Sequence, residues 1–95
     1  MSKNLIGATI AIAALTALIP ASARAADPAF CQNYAEAAIN QVRGALANPN
    51  CAGRIQGPRW SSDMALHYHW CLTQGYPTVE AERGARTGFL RACRG

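Results

Sequence analysis

Gly57-Pro58-Arg59-Trp60-Ser61-Ser62-Asp63-Met64-Ala65-Leu66-His67-Tyr68-His69-Trp70-Cys71 holds both tryptophans, both histidines, the only methionine besides the initiator, and the third of four cysteines. A short chain concentrates its unusual side chains where something must be packed or bound. Ser61 or Ser62 is placed to cap a helix, with Asp63 in the first turn complementing the positive end of the dipole. Gly75 ends it, which predicts a helix over 61–74. Met64, Tyr68, Cys71 and Leu72 fall on one side, Leu66 and Trp70 on another. A helix apolar nearly all round is expected to be central and buried. At 100° per residue His67 lies inward, between Trp70 and Cys71, while His69 lies on the wetter side with Ser62 and Thr73.

Before this stretch, Asp27-Pro28 reads as a cap followed by a favoured first helical residue. Cys31, Tyr34, Ala35, Ala38, Ile39, Val42, Ala45 and Leu46 then recur on one arc of about 140°. Gln32, Asn33, Glu36, Asn40 and Arg43 fall opposite. The pattern predicts an amphipathic helix over 28–47, stopped by Asn48-Pro49-Asn50. Residues 51–59 read as a loop punctuated by Gly53, Gly57 and Pro58. After the central stretch, Tyr76-Pro77 reads as a turn and Thr78 as the cap of a helix over 78–93. Glu80 and Glu82 are expected in its first turn and Arg91 and Arg94 in its last. Val79, Ala85, Phe89, Leu90, Ala92 and Cys93 form its apolar face. Glu82 and Arg86 fall inside that face, four residues apart, in the favourable order for an ion pair. Gly84 and Gly88 weaken this helix.

The N-terminus has a different character. Met1-Ser2-Lys3-Asn4 is a short positive segment, Leu5 to Ile19 is apolar, and Ala23-Arg24-Ala25 supplies a small-x-small cleavage pattern. The apolar run of 15 residues is shorter than the ~20 that span a bilayer. Residues 1–25 therefore read as a cleaved signal peptide, and 26–95 as one mature domain of 70 residues. A core that small needs staples. Cys31, Cys51, Cys71 and Cys93 make an even set in an exported chain, which reads as two disulfides in a periplasmic or secreted protein. Their spacing is not that of a structural zinc site. Cleavage removes Lys3 and Arg24 and leaves seven arginines against five acids, a net charge of +2. That balance is too mild to argue for nucleic acid.

Three pairings are open to four cysteines. The rise from Cys31 to Leu46 is about 22 Å, far beyond the ~7 Å limit for a bridge. Cys31–Cys51 therefore requires a broken helix. Of the two remaining patterns, an up-down-up bundle favours Cys31–Cys71 with Cys51–Cys93. The competitor is Cys31–Cys93 with Cys51–Cys71.

Cys31-x-x-Tyr34-Ala35, Gly57-Pro58-Arg59-Trp60-Ser61, His67-x-x-Trp70-Cys71 and Glu82-x-x-x-Arg86-x-x-x-Leu90-x-x-Cys93 together resemble a four-cysteine module of small exported alphaproteobacterial proteins. The resemblance covers nearly the whole mature chain. It implies export and assigns no catalytic or binding residue.

Several constellations could carry chemistry. Met64, His67, His69 and Cys71 are all metal-ligating types. Only His67 and Cys71 share a helix face, and a disulfide would remove the thiolate that either a metal or a nucleophile needs. Glu82 with His67 is a conceivable acid–base pair, but 70 residues seldom enclose a substrate pocket of ~300–1,000 Å³. Arg59 beside Trp60, together with Arg83, Arg91 and Arg94 on one quarter of the last helix, forms the best candidate partner-binding surface. Arginine is the side chain for planar capture of carboxylate or phosphate.

The expectation is thus an all-α, three-helix, disulfide-stapled domain. It acts as a non-enzymatic interaction module, without cofactor, facing an acidic protein or envelope glycan. The alternatives are a small metal- or ligand-binding protein using His67 and His69, and a secreted toxin or enzyme inhibitor.

Overall fold

A computed structural model describes residues 24–95. The expected leader lies outside the described residues, save for Arg24 and Ala25. Among the described residues the secondary structure is helical: α1 (Pro28–Leu46), α2 (Pro49–Ala52), a 3-10 turn (Pro58–Trp60), α3 (Met64–Leu72) and α4 (Tyr76–Arg94). One isolated antiparallel bridge joins Ala25 to Gly75.

The start of α1 follows from Asp27. Its backbone is extended and its Oδ1 accepts from the Phe30 N–H at 2.8 Å, with Pro28 next in line. The buried face is Cys31, Tyr34, Ala35, Ala38, Ile39, Val42 and Ala45, the 3.6-residue stripe of the sequence without Leu46, which is 55% exposed at the helix end. Its alanines let neighbours approach closely, and α1 packs against both α3 and α4. The central helix is therefore α1 and not α3. Residues 61–74 were expected to be buried all round, yet only His67 and Cys71 of α3 are buried. Met64 and Leu66 are each 40% exposed, because α1 covers α3 from one side.

The boundaries also shift. Asp63, not Ser61 or Ser62, caps α3: its Oδ1 accepts from the Ala65 N–H at 3.0 Å. Ser61 instead accepts from the Asp63 N–H at 3.0 Å, turning the chain into the cap. The last helix begins at Tyr76, with Gly75 as its cap and Pro77 in its first turn. Proline fits there because its missing N–H has no helical partner in any case. Glu80 and Glu82 consequently sit beyond the first turn, and only Arg91 and Arg94 keep their dipole placement. The expected loop over 51–59 is partly helical. Asn48 caps α2 by accepting from the Asn50 N–H at 2.9 Å, which seats Cys51 fully inside. Gly57 then takes φ +86°, a left-handed conformation suited to glycine, and leads into the 3-10 turn.

The disulfides are Cys31–Cys71 and Cys51–Cys93, with Cα separations of 5.5 and 5.2 Å. Each anchors one apolar cluster. The first joins Ala26, Cys31, Tyr34, Cys71 and Val79, with Phe30, Trp70 and Tyr76 against it. The second joins Ala45, Cys51, Leu90 and Cys93, with Ile55, Trp60 and Phe89 against it. The first end is closed further by the Ala26 N–H donating to the Gln74 carbonyl at 2.8 Å. The Tyr76 hydroxyl also donates to Asp27 Oδ2 at 2.6 Å. Between the two clusters α1 buries Ala35, Ala38, Ile39 and Val42, and Arg86 of α4 donates to Gln41 of α1.

Candidate functional site

Among the described residues, Arg86 is the largest side chain withdrawn completely from solvent. A guanidinium has no uncharged form near neutral pH, so the fold has to surround the charge with partners. Its Nε donates to Gln41 Oε1 at 2.7 Å, and Nη1 donates weakly to the Arg59 carbonyl at 3.4 Å. Its carbon lies 5.1 Å from the Tyr34 ring centre, within cation–π range. Glu82, one turn earlier on α4, stands 3.8 Å from Nη1, too far for a hydrogen bond. Nη2 is buried and has no hydrogen-bond partner.

The Glu82 carboxylate is instead gripped by Arg59. Arg59 Nε donates to Oε2 at 2.8 Å and Nη2 donates to Oε1 at 3.0 Å. Gly57 and the Pro58–Trp60 turn deliver Arg59 across the surface of α4. The bond to Glu82 raises the pKa of Arg59 above its ordinary range. Gln41 fixes the other side: its Nε2 donates to the Arg83 carbonyl at 3.3 Å and to Thr87 Oγ1 at 2.9 Å.

A cavity of about 220 Å³ opens at this cluster. The Pro58–Trp60 turn contributes Pro58 and Arg59, and α4 contributes Glu82 and Arg86. Tyr34 comes from α1; Leu66, His67 and Trp70 come from α3. The Tyr34 and Trp70 ring centres are 5.8 Å apart. His67 is 3% exposed and its Nε2 lies 2.8 Å from the Ser61 carbonyl. A carbonyl only accepts, so the proton sits on Nε2. The cavity's permanent charges are two guanidiniums and one carboxylate.

The other sequence candidates distribute unevenly. Cys71 is in a disulfide and supplies no thiolate. His69 is exposed beside Tyr68, while His67 is buried, so the two histidines do not converge. Met64 is exposed and not in the core. No group of three or more His, Cys, Asp or Glu side chains capable of holding a metal occurs among the described residues. Both Glu82 oxygens are engaged by Arg59, so Glu82 and His67 do not stand as a free acid–base pair. Of the expected partner surface, Arg59 lies at the cavity. Trp60 turns away and packs on Phe89 with ring centres 5.0 Å apart. Arg83 is less exposed than expected. Its head lies 5.9 Å from the Tyr34 ring centre and 3.7 Å from Glu80, and its Nε is buried. Arg91 and Arg94 are exposed on the last turn of α4. Sequence reasoning missed Gln41, Tyr34 and Leu66 as site residues. Only the placement of Glu82 and Arg86 inside an apolar stripe signalled a charged cluster.

Comparison with protein-family models, with curated proteins and with solved structures gave no match for this chain.

Proposed function

We propose that this chain is an exported, non-enzymatic binding module for an acidic partner or envelope component, acting in the periplasm or outside the cell. Its mature domain is 26–95, and its contact point is the cavity at Arg59 and Arg86. One observation carries the reading: a fully buried guanidinium with an unpartnered Nη2 shares its single carboxylate with a second, half-exposed arginine. The cluster is one negative charge short of balance. Arg91 and Arg94 add positive potential on the same helix, and such charges steer acidic partners more than they bind them. Two disulfides suit an oxidising compartment.

The test is retention of the oxidised protein on immobilised polyglutamate and on polygalacturonate. Arg59→Glu is expected to abolish retention on whichever support holds the wild type. Reversal of Arg83, Arg91 and Arg94 is expected to slow association and flatten its salt dependence. Absence of retention on both supports, or undiminished retention of Arg59→Glu, overturns the proposal.

A further inference from the structure

The geometry points to a specific occupant: one monocarboxylate with a flat apolar body, about seven to eleven non-hydrogen atoms in all, counting roughly 20–30 Å³ for each. This deepens the binding reading above and rests on it. The cavity, at about 220 Å³, is below the ~300–1,000 Å³ of ordinary cofactor and substrate pockets. It admits a single small acid, or one terminal group of a larger molecule, and no more.

Its walls select the body. Tyr34 and Trp70 present aromatic surfaces, and Leu66 stands 40% exposed at the same cavity. An aliphatic side chain left in water there gains when an apolar ring covers it. The charges select the head. Two guanidiniums face one carboxylate, so a single added negative charge balances the cluster, whereas a dianion overshoots it and a neutral ring leaves it as it was.

The two arginines divide the work. Arg86 is fully buried, whereas the Arg59 side chain is 47% exposed and so within reach of a ligand from solvent. The incoming carboxylate takes the two-pronged position on Arg59 that Glu82 now holds. Glu82, released, already stands 3.8 Å from Arg86 Nη1 and needs to move about 1 Å closer to hydrogen-bond the guanidinium whose other nitrogen, Nη2, lacks a partner. Glu82 is thus an internal stand-in for the ligand's acid group. Binding converts one shared carboxylate into two matched pairs.

The experiment titrates the oxidised protein with benzoate, following arginine Nε–H and tryptophan indole signals by NMR and heat by calorimetry. Benzamide, acetate and inorganic phosphate serve as comparisons. Benzoate is expected to saturate one site and to shift the Arg59, Arg86 and Trp70 signals. Benzamide, lacking the charge, and acetate, lacking the ring, are each expected to bind at least about tenfold more weakly. Arg59→Gln, at an exposed position, is expected to weaken benzoate about tenfold or more while keeping the wild-type spectrum elsewhere. Leu66→Ala weakens benzoate and leaves acetate unchanged. Equal binding of benzamide, or an Arg59→Gln variant with unchanged benzoate affinity, overturns the inference. Retention on polyglutamate or polygalacturonate without saturable benzoate binding rejects this ligand class and keeps the binding module. Absence of retention on both supports together with absence of benzoate binding rejects both.

Discussion

Arg59 and Glu82 are joined by two parallel hydrogen bonds, 2.8 and 3.0 Å long, across 23 positions of the chain. Arg86, on the same helix as Glu82, receives only a 3.8 Å approach from it. The exposed arginine therefore has the better bond and the buried one has the greater need. The energetic roles follow from burial more than from distance.

Glu82→Ala and Arg59→Ala should accordingly differ. Removing Arg59 deletes a partly exposed pair, worth under about 1 kcal/mol. Removing Glu82 leaves a fully buried guanidinium with no carboxylate at all, which is expected to cost roughly 2–4 kcal/mol. Thermal denaturation of the two variants measures this. Equal melting temperatures would mean that Arg86 draws its compensation from Gln41, Tyr34 and the Arg59 carbonyl, without Glu82.

The two histidines make a second contrast. His67 is buried with Nε2 at 2.8 Å from the Ser61 carbonyl, whereas His69 is exposed. His67→Ala leaves that carbonyl without its donor and should cost about 1–3 kcal/mol. His69→Ala should stay within about 0.5 kcal/mol. Chemical denaturation midpoints for both variants would show it, and a reversed order would contradict the packing of α3 on α1.

The stripe on α1 was legible because one face of 19 residues repeats the helical period without interruption. Arg86 and His67 were legible as inward residues for the same reason. The disulfide pairing followed from helix length and chain reversal. The cavity was not legible, because no local pattern places Arg59 beside Glu82. That contact depends on Gly57 reversing the chain and on α4 lying across α1. The burial of α3 was misread because nine residues of mixed apolar character do not reveal on which side a neighbour is missing. Its true cap, Asp63, competed with two serines that are equally plausible from sequence, and only the path of the backbone decides among them.

Gly84 and Gly88 sit inside α4, and a Cβ at either would meet no atom within 4 Å. Neither has a positive φ. Alanine at each position should then stabilise the protein by about 0.5–1 kcal/mol through helix propensity and a less free unfolded chain. A fall in the denaturation midpoint for either variant would show that something else needs the glycine.

Acid should weaken the protein through Asp27. Its pKa is held below the ordinary 3.8, first by the Phe30 N–H and then by the Tyr76 hydroxyl. The folded state thus binds this proton less readily than the unfolded chain. The associated stability is complete above the unfolded value and is lost as pH falls through the folded one. Melting temperature should decline as pH falls below about 4, and less steeply in Asp27→Asn. Parallel profiles for the two proteins would assign the acid sensitivity to other carboxylates.

The two disulfides close loops of nearly equal length, with separations of 40 and 42 residues. Chain entropy alone would value each at roughly 4 kcal/mol, so their difference must come from their surroundings. Cys31–Cys71 lies among Tyr34 and Val79, and that end is also tied by Ala26 to Gln74 and by Asp27 to Tyr76. Cys51 belongs to a four-residue helix, and Cys93 is one residue from the end of α4. Nothing of comparable regularity holds residues 48–57 in place once that bridge is gone. Cys51→Ala with Cys93→Ala is therefore expected to release 48–57 and the last turn of α4 locally. Hydrogen exchange there should quicken while α1 and α3 stay protected. Cys31→Ala with Cys71→Ala opens the cluster on which α1, α3 and α4 meet, and exchange should rise across all three helices together. Uniform loss of protection in both variants would mean that the two clusters unfold as one unit. In that case the buried run of Ala35, Ala38, Ile39 and Val42 along α1 couples them.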